Sequence, residues 1–149
     1  PGVKNEFRTS LSMNTALLVH PPVTAPQVPC PAASRAVGLV ILGANFGAKI
    51  ARQLARADGP VRVAGVCDLD AAKSRALAGE LGVPVFENID HVLADPDIEA
   101  VGVFTGPAGR GRLLERILQG GKHVMTTKPF ELDPAEAARA FAAAERHDR

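Results

Sequence analysis

The sequence predicts a doubly wound, mostly parallel α/β fold in three layers, with helices on both faces of the sheet. Two observations carry this. Short apolar runs alternate with segments of helical periodicity from residue 36 to the end, the signature of repeated βα units. The apolar content is aliphatic: hydrophobic residues make up 46% of the 149, while aromatics are only 4%, with no Trp or Tyr. Val, Ile and Leu in continuous runs suit strands buried on both faces.

The elements follow in order. "AVGLVIL" (36–42) is a continuous apolar run and reads as a central strand. "FGAKIARQLARA" (46–57) places Phe46, Ile50, Leu54 and Ala57 at helical spacing. "VRVAGVCD" (61–68) is a second strand, and "DAAKSRALAGELG" (70–82) a helix with a glycine stop. "VPVF" (83–86) is a short third strand, "DHVLADPD" (90–97) one or two helical turns, and "IEAVGVFT" (98–105) a fourth strand. "GRGRLLERILQGG" (109–121) is a helix, "KHVMTT" (122–127) a fifth strand, and 132–149 a final Ala-rich helix. Asp133 is placed to cap that helix and Pro134 to open it. Sequential βα units of this length imply right-handed crossovers.

Residues 1–35 differ. "HPPVTAPQVPCPAAS" holds five prolines in fifteen residues, so 1–35 reads as a Pro-rich N-terminal arm or linker. The domain itself is assigned to 36–149. Pro1 is not an initiator methionine, so the sequence reads as a trimmed or partial chain.

Bulk charge narrows the partners. Seventeen basic against sixteen acidic residues leave +1, without a long basic run, which argues against nucleic acid. No apolar run has the length of a membrane span. Cys30 and Cys67 match no metal or redox spacing and read as incidental or buried thiols in a reducing, cytoplasmic compartment.

The candidate site begins at "GANFG". A G-x-G-x-x-G fingerprint ending at Gly47 needs glycines at 42 and 44, where the chain has Leu42 and Ala44. Gly43 still supplies a tight turn at the strand end, and Gly47 close helix–sheet packing. The backbone from Ala44 through Asn45 and Phe46 to Gly47 can present N–H groups to a pyrophosphate at a helix N-terminus. Ala44 fits if its methyl turns away, and Asn45 suits a helix cap. Asp68 closes the second strand twenty-five residues after Gly43. A carboxylate there accepts bonds from adenosine ribose hydroxyls and repels a 2′-phosphate. It favours NAD over NADP, while Lys73 and Arg75 nearby leave NADP open.

Together with "VAGVCDLDAAKSRALAGELGVPVF", "VLADPDIEAVGVFTGP" and "GGKHVMTTKPF", these residues give a chain that resembles the N-terminal Rossmann domain of the Gfo/Idh/MocA oxidoreductases, the glucose-fructose oxidoreductase and inositol dehydrogenase group. The resemblance implies an NAD(P)-binding domain of an enzyme that moves hydride between nicotinamide and a sugar, polyol or related substrate. It implies that Gly43 and Gly47 are phosphate-turn glycines, Asp68 the ribose carboxylate, and Thr105 a residue at the edge of the nicotinamide region. Lys128 and Pro129 match the lysine-proline of the family's Glu-Lys-Pro, with Lys128 as catalytic candidate near nicotinamide and substrate, aimed by Pro129. Thr127 replaces the family glutamate, and Arg110 stands where the family has a histidine. His123, inside the fifth strand, is expected to be packed. The resemblance also implies a small-molecule substrate, a homo-oligomer, and a second domain and sixth strand that this sequence lacks. Two other readings stay open: a non-catalytic dinucleotide-binding or oligomerisation module, and a Rossmann-like domain for another nucleotide such as coenzyme A.

Overall fold

The computed structural model describes residues 35–149, so the expected Pro-rich arm and Cys30 lie outside the described residues. Five strands, β1 (Val37–Leu42), β2 (Val61–Cys67), β3 (Val85–Phe86), β4 (Ala100–Val103) and β5 (His123–Thr126), form one sheet in the order β3-β2-β1-β4-β5. All four pairings are parallel. The helices between and after them are α1 (Ala44–Arg56), α2 (Ala71–Leu81), α3 (Ile89–Ala94), α4 (Arg110–Gln119) and α5 (Pro134–His147).

Strand residues alternate between two cores, as the pleat requires. Val40, Leu42, Val101 and Val103 meet Val92 of α3, Leu114 and Ile117 of α4, and Ala140 of α5. Leu39, Ile41, Val66 and Ala100 meet Ala51 of α1 and Leu77 and Ala78 of α2. The strand order changes direction between β1 and β4, and in such sheets the crevice beyond the carboxyl ends at that point takes ligands.

Two expectations are corrected here. The first helix starts at Ala44, directly after Gly43, rather than at Phe46. Asn45 therefore lies inside the first turn, exposed, and is not a cap. His123 is exposed rather than packed. It lies on the terminal strand of the sheet, opposite the face on which Val124 meets the α4–α5 core. His123 and Met125 form the exposed face of that strand.

Capping matches expectation elsewhere. The Asp70 side chain accepts from the amides of Ala72 at 3.0 Å and Lys73 at 3.3 Å, and Asp133 caps α5 in the same way with Pro134 at its start. Those amide bonds, led by Lys73, hold the Asp70 carboxyl below its ordinary range. Asp70→Ala is expected to lower stability through loss of the helix cap, read as a fall in the urea midpoint at constant slope.

Candidate functional site

A cleft of about 440 Å³ opens beyond the carboxyl ends of β1, β2 and β4. Leu42, Gly43 and Asn45 line it from the first strand and helix, Cys67, Asp68 and Leu69 from the second strand, and Phe104, Thr105 and Gly106 from the fourth. Glu87, Asn88 and Ile89 add a wall after β3, with Leu113 of α4.

The turn after β1 exists because residue 43 is glycine. Its φ is +96°, and a Cβ there would stand 2.9 Å from the carbonyl carbon of Phe104 and 3.0 Å from its oxygen. The strand thus ends against the backbone of the fourth-strand loop. The Gly43 amide donates to the Cys67 carbonyl at 3.0 Å, and the Phe104 amide to the Leu42 carbonyl at 2.8 Å. Gly47 lets α1 lie close on the sheet: its Cβ would meet Ile41 at 2.7 Å and the Phe104 ring at 2.8 Å.

The unorthodox Leu42 and Ala44 are explained by packing. Ala44 is buried among Leu39, Ile41 and Phe104, so its methyl turns into the core and away from the cleft. Leu42 is buried in the opposite core and forms part of the cleft floor. Phe46 is half-exposed beside Phe104, with ring centroids 6.0 Å apart.

Asp68 does more than close its strand. One carboxylate oxygen accepts the Ala44 amide at 2.5 Å and the other the Asp70 amide at 2.8 Å. It therefore ties the glycine turn to the loop after β2 and places a negative charge at the N-terminal end of α1. The first-turn amides of Asn45 and Phe46 have no intrahelical acceptor by helix geometry, and they remain as donors for an anion at the positive end of the helix dipole. Burial, then the neighbouring Asp68 charge, pushes the Cys67 thiol pKa up, so the sulfur is a packed neutral group rather than a nucleophile.

Lys128 and Pro129 are exposed, follow β5, and stand outside the cleft lining. Their peptide bond is cis. Arg110, which stands where the family has a histidine, folds back onto backbone carbonyls. It is 4% exposed. Its guanidinium donates to the carbonyls of Thr127 and Pro129 at 2.7 Å each, to that of Thr105, and at 3.5 Å to that of Phe130. Burial lowers its pKa, partly offset by Glu131. Sequence periodicity had no means of finding this contact, because a first-turn helical Arg looks the same whether solvated or folded back.

Glu131 makes the reciprocal contact. Its carboxylate accepts the amides of Gly111 and Leu132 at 2.6 Å and of Asp133 at 3.2 Å. These bonds, Gly111 foremost, hold its pKa below the ordinary value of 4.5. A depressed folded pKa means that folding favours the ionised form. Its contribution is complete above the ordinary value and is lost as pH falls through the depressed one. Urea unfolding between neutral and strongly acidic pH is therefore expected to show a shallower acid decline for Glu131→Gln than for the unsubstituted chain.

Among the described residues, no cluster of His, Cys, Asp or Glu is arranged to hold a metal ion, and no helix is long and apolar enough to cross a membrane.

The family model for an oxidoreductase family with an NAD-binding Rossmann fold, Gfo/Idh/MocA, matches residues 37–149. The chain belongs to the Gfo/Idh/MocA family. Inositol 2-dehydrogenase of Rhizobium meliloti is 34% identical over 100 residues, covering 67% of this chain and 30% of that protein. UDP-N-acetylglucosamine 3-dehydrogenase of Acidithiobacillus ferrooxidans is 36% identical over 87 residues, 58% of this chain and 27% of its own length. Among solved structures, an NAD-binding protein from Listeria innocua superposes with a TM-score of 0.71 at 29% identity, covering 77% of this chain and 34% of that one. GenD2 from gentamicin A biosynthesis, solved in complex with NAD, gives 0.72 at 27% identity, covering 79% and 34%. This Gfo/Idh/MocA chain thus spans about a third of the length of these relatives.

Proposed function

We propose that the cleft beyond β1, β2 and β4 binds a nicotinamide dinucleotide, NAD in preference to NADP, as the cofactor half of an oxidoreductase acting on a sugar, polyol or related hydroxyl or carbonyl compound. One observation carries the reading: the glycine turn at Gly43 and the Asp68 carboxylate meet through the Ala44 amide on the wall of one cleft at the switch point of the sheet. The cleft volume falls within the range of about 300–1,000 Å³ usual for small-molecule sites.

The residues fit the cofactor. The amides of Asn45 and Phe46 face the pyrophosphate. The Asp68 carboxylate, oriented by its two backbone donors, has lone pairs left for ribose hydroxyls. That charge and the exposed Leu69 beside it disfavour a 2′-phosphate. Thr105 borders the nicotinamide end. When bound, the cofactor supplies a hydride acceptor or donor at nicotinamide C4. The Lys128 ammonium then orients the substrate oxygen and stabilises negative charge developing on it. The names of the two curated relatives, dehydrogenases of inositol and of UDP-N-acetylglucosamine, support the substrate class.

The test is titration of the folded chain with NADH and NADPH, followed by cofactor fluorescence. Without Trp the protein contributes little background. Saturable micromolar binding with NADH tighter than NADPH is expected. No binding of either removes the reading, and tighter NADPH reverses the cofactor preference.

A further inference from the structure

We propose that Arg110 is a positioning residue for Lys128, holding the lysine loop in fixed relation to the edge of the cofactor cleft. The inference rests on the proposed role of Lys128 beside nicotinamide and substrate. Lys128 is exposed, so its own side chain does not anchor it. Its backbone is held instead. One buried guanidinium takes the carbonyl of Thr127 on one side of Lys128 and that of Pro129 on the other, both at 2.7 Å. The other amino group of the same guanidinium takes the carbonyl of Thr105, a residue of the cleft wall. A rigid planar ion thus spans the loop after β4, which holds Thr105, and the loop after β5, which holds Lys128. Glu131 doubles the connection in reverse, accepting the Gly111 amide at the start of α4.

The choice of arginine follows from the geometry. Its donors sit in a fixed fork and reach acceptors on two loops at once, which a lysine ammonium on a flexible stem does not do. Burying a guanidinium is costly unless its N–H groups are satisfied. Here four carbonyls surround it, while Nε has no partner among the described residues. A purely stabilising position would be better served by an apolar side chain of similar volume.

The experiment reads Lys128 directly and needs no turnover. The lysines are reductively methylated with ¹³C, and the Lys128 resonance is assigned by its loss in Lys128→Arg. NADH is then added to saturation, with binding monitored separately by cofactor fluorescence. In the unsubstituted chain the Lys128 signal is expected to move. In Arg110→Met at NADH saturation, the Lys128 shift is expected to fall to less than about half, because the fork joining the loops is gone. An equal shift in both proteins overturns the positioning role. A Lys128 signal that stays still in the unsubstituted chain while NADH binds overturns the lysine's proposed role, and the inference with it. If Arg110→Met does not fold, Arg110→Lys, which keeps a cation under the carbonyls, is read by the same criteria.

Discussion

Gly43→Ala is expected to destabilise the domain by about 3 kcal/mol and to abolish dinucleotide binding. Two effects add at one atom. The backbone at residue 43 has φ +96°, a conformation that a residue with a Cβ adopts only under strain. The added Cβ also meets the Phe104 carbonyl carbon at 2.9 Å and the Thr105 nitrogen at 3.2 Å. These are backbone atoms of the neighbouring loop, so no side-chain rotation relieves the overlap. The turn must open or the fourth-strand loop must retreat. Either movement displaces Ala44 from Asp68 and Thr105 from the cleft wall. For a domain of this size the melting temperature should fall by roughly 10–20 °C. Calorimetry or thermal circular dichroism measures it, and an unchanged melting temperature would refute the account of the turn.

The second large effect is expected at Asp68. In Asp68→Ala the Ala44 amide loses its carboxylate at 2.5 Å and the Asp70 amide loses one at 2.8 Å. Charge-assisted bonds of this kind contribute about 1.5–3 kcal/mol each. If the same carboxylate also holds the ribose, NADH affinity falls by about tenfold to a hundredfold. NADPH affinity falls less, because removing the carboxylate also removes its repulsion of the 2′-phosphate. Parallel titrations of both cofactors separate the two roles. Equal losses would show that Asp68 acts only by shaping the turn, and a larger loss for NADPH would reject the ribose role outright.

The sequence made the fold legible because the information is local and repeated. Each strand is a short aliphatic run and each helix a periodic segment, so alternation alone implied a parallel sheet with helices on both faces. Gly43 and Asp68 were legible for a related reason: strand ends can be located, and a parallel sheet gathers them on one edge. What escaped were contacts set by distant packing. Asn45 suited a cap by residue type, but the helix begins at Ala44, two residues earlier than such a cap would set it, because Gly43 already makes the bend. His123 looked packed because its strand was apolar, yet that strand ends the sheet and one of its faces has no helix above it among the described residues. Arg110 reaches the Pro129 carbonyl across nineteen residues of chain and Glu131 the Gly111 amide across twenty, and no spacing rule marks such contacts. The missing fingerprint glycines at 42 and 44 lose their weight for a structural reason as well. Leu42 packs the floor, and the Ala44 methyl faces the core, so neither obstructs the backbone proposed to meet the ligand.

The most direct test of the central claim is where a dinucleotide touches the chain. Amide ¹H–¹⁵N shifts followed during NAD⁺ titration locate it residue by residue. The account predicts saturable changes at Ala44–Gly47, Leu69 and Thr105, around the cleft at the carboxyl edge of the sheet. Changes confined to the shallow hollow lined by Leu54, Val61 and Leu81, or no changes in a folded sample, would contradict it.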